Sequence, residues 1–300
     1  MIIKLIATDL DGTLMSPDHL TITERTINTL KAAHDKGIKI AISTGRPMCI
    51  IGDVVNQIPF VDYIIYSNGA CVFDRNSNEI IHSSLIDGKT ISELIEYFLD
   101  REVYFDVSYN GESHYQFGIE KYFANMDFPG EFVSEVMKSM NGHFDLAEYL
   151  NGDGVEKITL YTVKDEDYDE FKEKFLSYHL SVASSFKGGL EATVIDADKG
   201  SAVAGICANM KITSDEVMAF GDAGNDCPML EFAKYSFAME NATEECKKSA
   251  KFVTLSNAED GLAAVVENIW PRIWKKTNKS ECICSQETLP LNGRTCCCGR

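Results

Sequence analysis

Two aspartates stand two residues apart where the first apolar run of the chain ends, in Asp9-Leu10-Asp11-Gly12-Thr13. The preceding Ile2, Ile3, Leu5, Ile6 and Ala7 have the continuous apolar character of a strand buried on both faces. Gly12 admits a tight turn. Carboxylates this close resist joint ionisation unless a cation or a shared proton compensates. They can bind a metal, supply a nucleophile with an adjacent acid, or do both. The plain alternative is a solvated Asp turn. Open parallel sheets bind ligands at the carboxyl ends of their strands, which is where this pair falls.

A second acidic group repeats the pattern. Val217-Met218-Ala219-Phe220 is another short apolar run, followed by Gly221-Asp222-Ala223-Gly224-Asn225-Asp226 and a helix beginning near Pro228, since proline is tolerated in a helix's first turn. One parallel sheet brings these distant carboxylates to Asp9 and Asp11. Together they form an oxygen-rich edge suited to Mg2+, a hard cation that keeps waters for a phosphate. Between the two groups, the strand Ile38 to Ile42 ends in Ser43-Thr44-Gly45-Arg46-Pro47, whose hydroxyl and backbone N–H groups face a helix N-terminus, a ready anion site. Lys199-Gly200 follows an expected strand at Ala192 to Ile195 and opens a helix to Met210. Taken singly, Thr44 is a fair N-cap, and Arg46 and Lys199 are ordinary surface cations. Carboxylates, hydroxyl, lysine and carboxylates, each at a strand's end, carry more weight in that order.

With these residues in place, the chain resembles the haloacid dehalogenase superfamily of phosphohydrolases, and within it the Cof-type (subfamily IIB) branch with a large cap inserted in mid-chain. The matching elements are Asp9-Leu10-Asp11-Gly12-Thr13-Leu14, Ser43-Thr44-Gly45-Arg46, Ser67-Asn68-Gly69-Ala70, Asp198-Lys199-Gly200 and Gly221-Asp222-x-x-Asn225-Asp226-x-x-Met229-Leu230. They cover residues 1 to about 270 in the family's order. Ala223 is a mild departure, at a position where small polar residues are also common.

The resemblance implies a Mg2+-dependent phosphatase acting on small phosphorylated metabolites such as sugar phosphates. Asp9 would attack phosphorus to give an aspartyl-phosphate. Asp11 would protonate the leaving oxygen and then activate water. The implied metal set is Asp9, the backbone carbonyl of Asp11, Asp222 and Asp226, with Asp226 and Asn225 supporting through water or outer bonds. Thr44, Gly45, Lys199 and Asn225 would form the phosphate-binding set. A phosphomutase using the same aspartyl-phosphate, and a non-catalytic ligand-binding regulator, are the alternative functions. The intact set of acidic and basic residues disfavours the regulator.

The elements that must position these groups follow from periodicity. Thr21-x-x-Glu24 has the form of a capping box opening a helix that carries Ile27, Leu30 and His34, with Gly37 ending it. A helix from Pro47 leads to a strand at Tyr63 to Tyr66. From about Ser83 helices and strands mix in an α+β manner, and near Leu190 the α/β rhythm resumes. The expected fold is thus a Rossmann-like, doubly wound parallel sheet formed by residues 1–82 and 190–270, with an α+β cap at 83–189 that closes over the site. Within the cap, the Asn110-Gly111 turn with its aromatic flanks reads as a hairpin, and Phe186-Lys187-Gly188-Gly189 as a hinge.

Composition sets the remaining bounds. The 300 residues are 45% hydrophobic and 25% charged, so the chain is neither disordered nor too short for two cores. No apolar run approaches the ~20 residues of a membrane span, and the N-terminus enters a strand too early for a secretory signal. A net charge of −18 disfavours nucleic acid and anionic membranes as partners. The expectation is a cytoplasmic monomer or weak homodimer. The six histidines show no ligand spacing. Residues 271–300 hold six Lys or Arg and two Glu, and Cys282, Cys284 and Cys296-Cys297-Cys298 cluster there without the usual zinc spacing. With little apolar material to bury, this segment reads as a disordered or adventitious extension. Deleting residues 276–300 should therefore leave kcat/KM and the melting temperature nearly unchanged under reducing conditions. A tenfold activity loss, about 1.4 kcal/mol of transition-state stabilisation, would place the tail at the site.

Overall fold

Leu5–Thr8 (β1), Glu24–His34 (α1), Lys39–Ser43 (β2), Gly52–Gln57 (α2) and Tyr63–Tyr66 (β3) open the chain and are followed by a hairpin of Cys71–Asp74 (β4) and Glu79–Ser83 (β5). A second group comprises Gly88–Leu99 (α3), Tyr104–Tyr109 (β6), Glu112–Gln116 (β7), Met140–His143 (β8), Leu146–Leu150 (α4), Lys157–Tyr161 (β9), Tyr168–Ser177 (α5), Leu180–Ala183 (β10) and Leu190–Val194 (β11). The chain returns through Lys199–Met210 (α6), Val217–Gly221 (β12), Cys227–Phe232 (α7), Tyr235–Ala238 (β13), Glu244–Ser249 (α8), Phe252–Val253 (β14) and Gly261–Lys275 (α9). This computed structural model describes residues 3–125, 138–184 and 188–275. Among them no helix is long and apolar enough to cross a membrane.

The first sheet has the order β14-β13-β12-β1-β2-β3-β4-β5 and is parallel from β14 to β3. This is the expected α/β, doubly wound arrangement. Alternate residues of the central strands serve two apolar layers: Ile6, Ile40 and Ile42 pack with Leu30 and Leu262, and Leu5, Ala7 and Ala41 pack with Val203 and Ile206. Burial on both faces explains the near-continuous apolar runs. Sequence order runs outward from β1 in both directions, through β2 on one side and β12 on the other, so the crevice at the carboxyl end of β1 is the topological switch point. α1 starts two residues later than the Thr21 box: Thr23 is its N-cap and accepts from Thr26 N.

The second sheet, β10-β11-β9-β6-β7-β8, is antiparallel apart from the β7–β8 pair. The Asn110-Gly111 turn joins β6 to β7 with positive φ at both residues, 52° and 78°, as a two-residue hairpin requires. One strand departs from expectation. Residues 190–194, expected to resume the parallel sheet ahead of Lys199, are β11 and pair antiparallel with β9 and β10. The reason is visible in the alternation: Leu190 and Ala192 join the apolar core of the second sheet, and the polar Glu191 and Thr193 face the other way. A two-sided parallel strand does not alternate like this. Lys199 thus begins α6 as the chain crosses back, without a preceding strand of the first sheet.

The cysteine cluster and residues 276–300 lie outside the described residues, as do Phe186 and Lys187 of the expected hinge; residues 271–275 belong to α9. Of the five cysteines ahead of the tail, Cys71, Cys207, Cys227 and Cys246 are buried thiols and Cys49 is half-buried.

The two faces of the second sheet differ sharply. Phe105, Val107, Ile158 and Leu160 pack against α3 and α5 residues such as Phe98 and Phe175. The opposite face carries Asp106, Ser108, Ser113, Lys157, Thr159 and Glu191, all 4% exposed or less. A polar face of an antiparallel sheet normally meets water; this one is closed off against the first sheet. Lys157 Nζ donates to Gly45 O at 2.6 Å, Ser67 Oγ to Glu156 Oε2 at 2.9 Å, and Cys49 N to Gly111 O at 2.8 Å. Burial pushes the Asp106 carboxyl up to about 6, against the opposing pull of Ser113, Lys157 and Tyr161 and with Glu191 adding repulsion; among the described residues its Oδ1 has no hydrogen-bond partner. A folded-state value above the ordinary value of 3.8 means that stability falls as pH rises from 3.8 through about 6. Asp106→Asn should therefore be more stable than the parent at about pH 7, by up to about 3 kcal/mol, with the difference vanishing below about pH 4. Urea unfolding at both pH values checks this; a variant less stable at neutral pH overturns it.

Candidate active site at the end of the central strand

Asp9 follows β1 directly, and its backbone N donates to Phe220 O of β12 at 3.0 Å. The register Thr8↔Ile42 and Thr8↔Phe220 sets Asp9 level with Ser43-Thr44 on one side and Gly221-Asp222 on the other. Three strand ends thus deliver their polar residues to one crevice. Asp9 is 5% exposed and Asp226 fully buried. Between them lies Lys199, with no exposure, whose Nζ donates to Asp9 Oδ1 and Asp226 Oδ1, both at 2.6 Å. Asp198 places it there: its Oδ1 caps α6 by accepting from Gly200 N and Ser201 N at 2.7 and 2.9 Å, which fixes Lys199 at the first helical position. The two carboxylates hold the Lys199 ammonium above its ordinary range despite burial.

Asp226 uses its other oxygen to accept from Asp222 N and Ala223 N at 2.9 and 3.0 Å, shaping the acidic loop. Asp222 Oδ1 accepts from Thr13 Oγ1 at 2.7 Å. Gly12, at φ 75°, is required by Asp222: a Cβ there would lie 2.4 Å from Asp222 Oδ2. Oxygens of Asp9, Asp222 and Asp226 all fall within 4.8 Å of one another. Burial is the main cause that raises the Asp9 carboxyl well above its usual value and the Asp222 carboxyl to about 7, with neighbouring carboxylates adding to both and Lys199 opposing.

Asp11 points elsewhere. Arg46 grips it with Nε to Oδ2 at 2.8 Å and Nη2 to Oδ1 at 2.5 Å, and His19 Nδ1 lies 2.8 Å from Oδ1. Burial would raise Asp11, yet the His19 hydrogen bond and the Arg46 charge together hold it well below the usual carboxylate range. Arg46 is 8% exposed, so it is a buried partner of Asp11 and not a solvated first-turn residue. Thr44 is buried and its Oγ1 accepts from Arg46 N at 3.1 Å; Gly45 presents its carbonyl to Lys157. Asn225 Nδ2 donates to Asn68 Oδ1 at 2.9 Å.

All the residues singled out from sequence, Asp9, Asp11, Thr44, Gly45, Lys199, Asp222, Asn225 and Asp226, lie in or beside this crevice. Arg46, His19, Asn68, Lys157 and Glu191 join them, the last four with no part expected from sequence. Arg46 and Asn68 stood inside quoted motifs. His19 left no signal, and Lys157 and Glu191 left only their place in alternating strands. Four carboxylates against the buried cations Lys199 and Arg46 leave two negative charges uncompensated, and the donors are all oxygen. A hard divalent cation held by Asp9, Asp222 and Asp226 fits both the charge and the donor set.

Comparison with known proteins agrees with this geometry. The profile of haloacid dehalogenase-like hydrolases matches residues 6–266. Phosphatase YwpJ of Bacillus subtilis is 30% identical over 292 residues, spanning 89% of this chain and 99% of that protein. The 5-amino-6-(5-phospho-D-ribitylamino)uracil phosphatase YwtE of the same organism is 28% identical over 284 residues, spanning 89% and 98%. Among solved structures, the subclass IIB sugar phosphatase BT4131 superposes with a TM-score of 0.74 at 26% identity, covering 89% of this chain and 99% of that one.

Removing Lys199 would strand two buried carboxylates. Lys199→Met should lose about 3–5 kcal/mol of stability at neutral pH, the usual cost of breaking a buried pair from one side. The deficit should shrink as the pH is lowered and the carboxylates protonate. Chemical denaturation across pH checks this, and parent-like stability at neutral pH would refute the account of Lys199 as their counterion.

Proposed function

The chain belongs to the haloacid dehalogenase-like hydrolases and is a phosphatase, and from that footing we propose a Mg2+-dependent hydrolase of small phosphorylated metabolites, sugar phosphates above all, working through an aspartyl-phosphate on Asp9. The observation that carries this is the convergence of Asp9, Asp222 and Asp226 within 4.8 Å beside Lys199. Asp9, the Asp11 carbonyl, Asp222 and Asp226 would hold the cation. Once bound, it would neutralise charge on the phosphoryl oxygens and on the nucleophile.

The chain's own residues perform the transfer. An Asp9 oxygen bonds to phosphorus as the bond from phosphorus to the ester oxygen breaks, and Asp11 supplies that oxygen's proton. Water then attacks the phosphorylated Asp9, giving its proton to Asp11; inorganic phosphate leaves and both carboxyl groups are restored. Arg46 and His19 favour the anionic form of Asp11, the form the hydrolytic half needs. For the first half, Asp11 must leave that pair and take up a proton before the ester oxygen departs. Lys199 and the Thr44–Gly45 loop hold phosphoryl oxygens as charge shifts among them.

The polar face of the second sheet supports a hydroxyl-bearing leaving group. Asp106, Ser108, Ser113, Thr159 and Glu191 offer donors and acceptors with Lys157 as the cation among them, a balance that suits neutral polyols better than a second phosphate. The ribityl compound and the sugar esters named for YwtE and BT4131 share that character.

The test separates the two aspartates. Asp9→Asn should abolish phosphate release from every substrate, with and without Mg2+. Asp11→Asn keeps the nucleophile and loses proton transfer, commonly worth about 10²–10⁴-fold. Its deficit should be small for p-nitrophenyl phosphate and large for a sugar phosphate, whose alkoxide needs the proton. Equal deficits for both leaving groups, or Mg2+-independent turnover in a metabolite screen, would sink the assignment.

A further inference from the structure

Asn68 sits where the phosphate-side loops meet, with its side-chain NH2 unpartnered among the described residues. Its backbone N donates to Thr44 O, and Ser67 N to Arg46 O, both at 3.0 Å. The next residue, Gly69, lies so close to Asp198 and Lys199 that a Cβ would come within 2.3 Å of Asp198 O. Asn68 Oδ1 accepts from Asn225 Nδ2, and a Cβ on Gly45 would approach that oxygen to 2.8 Å. The residue is therefore held among Thr44, Gly45 and Asn225, with its neighbours Ser67 and Gly69 against Arg46 and Lys199. It is 4% exposed, yet among the described residues its Nδ2 has no hydrogen-bond partner. With Asn225 Nδ2 as the donor in that bond, the Asn68 oxygen is the atom turned toward Asn225 and Nδ2 faces away from it.

Two further features make Asn68 unusual. Ser67, Asn68 and Gly69 hold consecutive positive φ values of 50°, 58° and 101°, a sequence of left-handed residues that a loop adopts only when its surroundings enforce it. A buried amide donor without a partner is also a cost that folded proteins rarely leave standing. Strain and an orphaned donor coincide at one residue, beside Thr44, Gly45 and Lys199. A phosphoryl group supplies anionic oxygen acceptors at that place, and a charge-assisted bond to one of them would satisfy the donor.

We propose that Asn68 Nδ2 donates to a non-bridging oxygen of the transferred phosphoryl group, a role that rests on the phosphatase function above but concerns a residue with no part in it so far. Because the contact is to the phosphoryl group and not to the ester, it acts alike on substrates with different leaving groups and on inorganic phosphate itself.

Two variants test this in the full-length chain. Asn68→Gly removes the donor while tolerating positive φ. Asn68→Asp keeps the acceptor used by Asn225 and puts an anion where the donor was. Inorganic phosphate binding is measured by calorimetry in the presence of Mg2+, alongside kcat/KM for p-nitrophenyl phosphate and the melting temperature. Both variants should bind phosphate at least tenfold more weakly than the parent, Asp more so than Gly, with a 10- to 100-fold loss of kcat/KM. A residue that only braces the loop would lower the melting temperature and leave phosphate affinity in the folded protein alone. Phosphate affinity within twofold of the parent in both variants overturns the proposal, whatever the melting temperatures. A parent that binds phosphate through Asn68 yet hydrolyses no phosphomonoester would sink the phosphatase mechanism and leave this contact standing.

Discussion

Lys199 carries its charge to a position closed to water, and Asp9 and Asp226 on either side of it are what make that tenable. The arrangement is mutual. Carboxylates crowded into one crevice repel each other, and a buried ammonium alone would be prohibitively costly. Asp226 then spends its second oxygen on the backbone of the acidic loop, and that loop sets Asp222 against Gly12. The geometry of the crevice thus propagates from one buried cation. α6 must begin exactly one residue after Asp198 for it to be there, so the helix cap and the site are a single device.

The second half of the site is organised by another cation. Arg46 leaves the Thr44–Gly45 loop to hold Asp11 by two hydrogen bonds, with His19 completing the grip. Two aspartates separated by one residue consequently occupy different electrostatic surroundings. Asp9 is raised by burial and by the company of carboxylates, and Asp11 is lowered by Arg46 and His19. Divergent environments for neighbouring carboxyl groups are how one site accommodates two roles.

Much of this was legible in the sequence because strand ends in parallel sheets collect polar residues after apolar runs. Asp9, Thr44 and Asp222 each announced themselves that way, and a glycine beside Asp11 and another beside Asp222 marked the tight turns. The pairing of Asp11 with Arg46 was not legible, since it depends on side-chain directions across two loops. The strand expected at Ala192 to Ile195, ahead of Lys199, instead runs Leu190–Val194 in the second sheet; its alternation of Leu190, Glu191, Ala192 and Thr193 marks a one-sided strand. The polar face of the second sheet shows the limit most clearly. Alternation of Asp106 and Ser108 with Phe105 and Val107 marks a two-faced strand, but only the tertiary arrangement says that the polar face is dry.

That dryness turns the meeting of the two sheets into a dehydration equilibrium. Lys157, Glu191, Asp106 and Glu156 are each 4% exposed or less with the second sheet against the first, and separation would return all four to water. Their hydration opposes closure, and the bonds from Lys157 to Gly45 and from Ser67 to Glu156 return only part of what is lost. Water activity, and not only ligand concentration, then becomes a variable that sets how long the two sheets stay together.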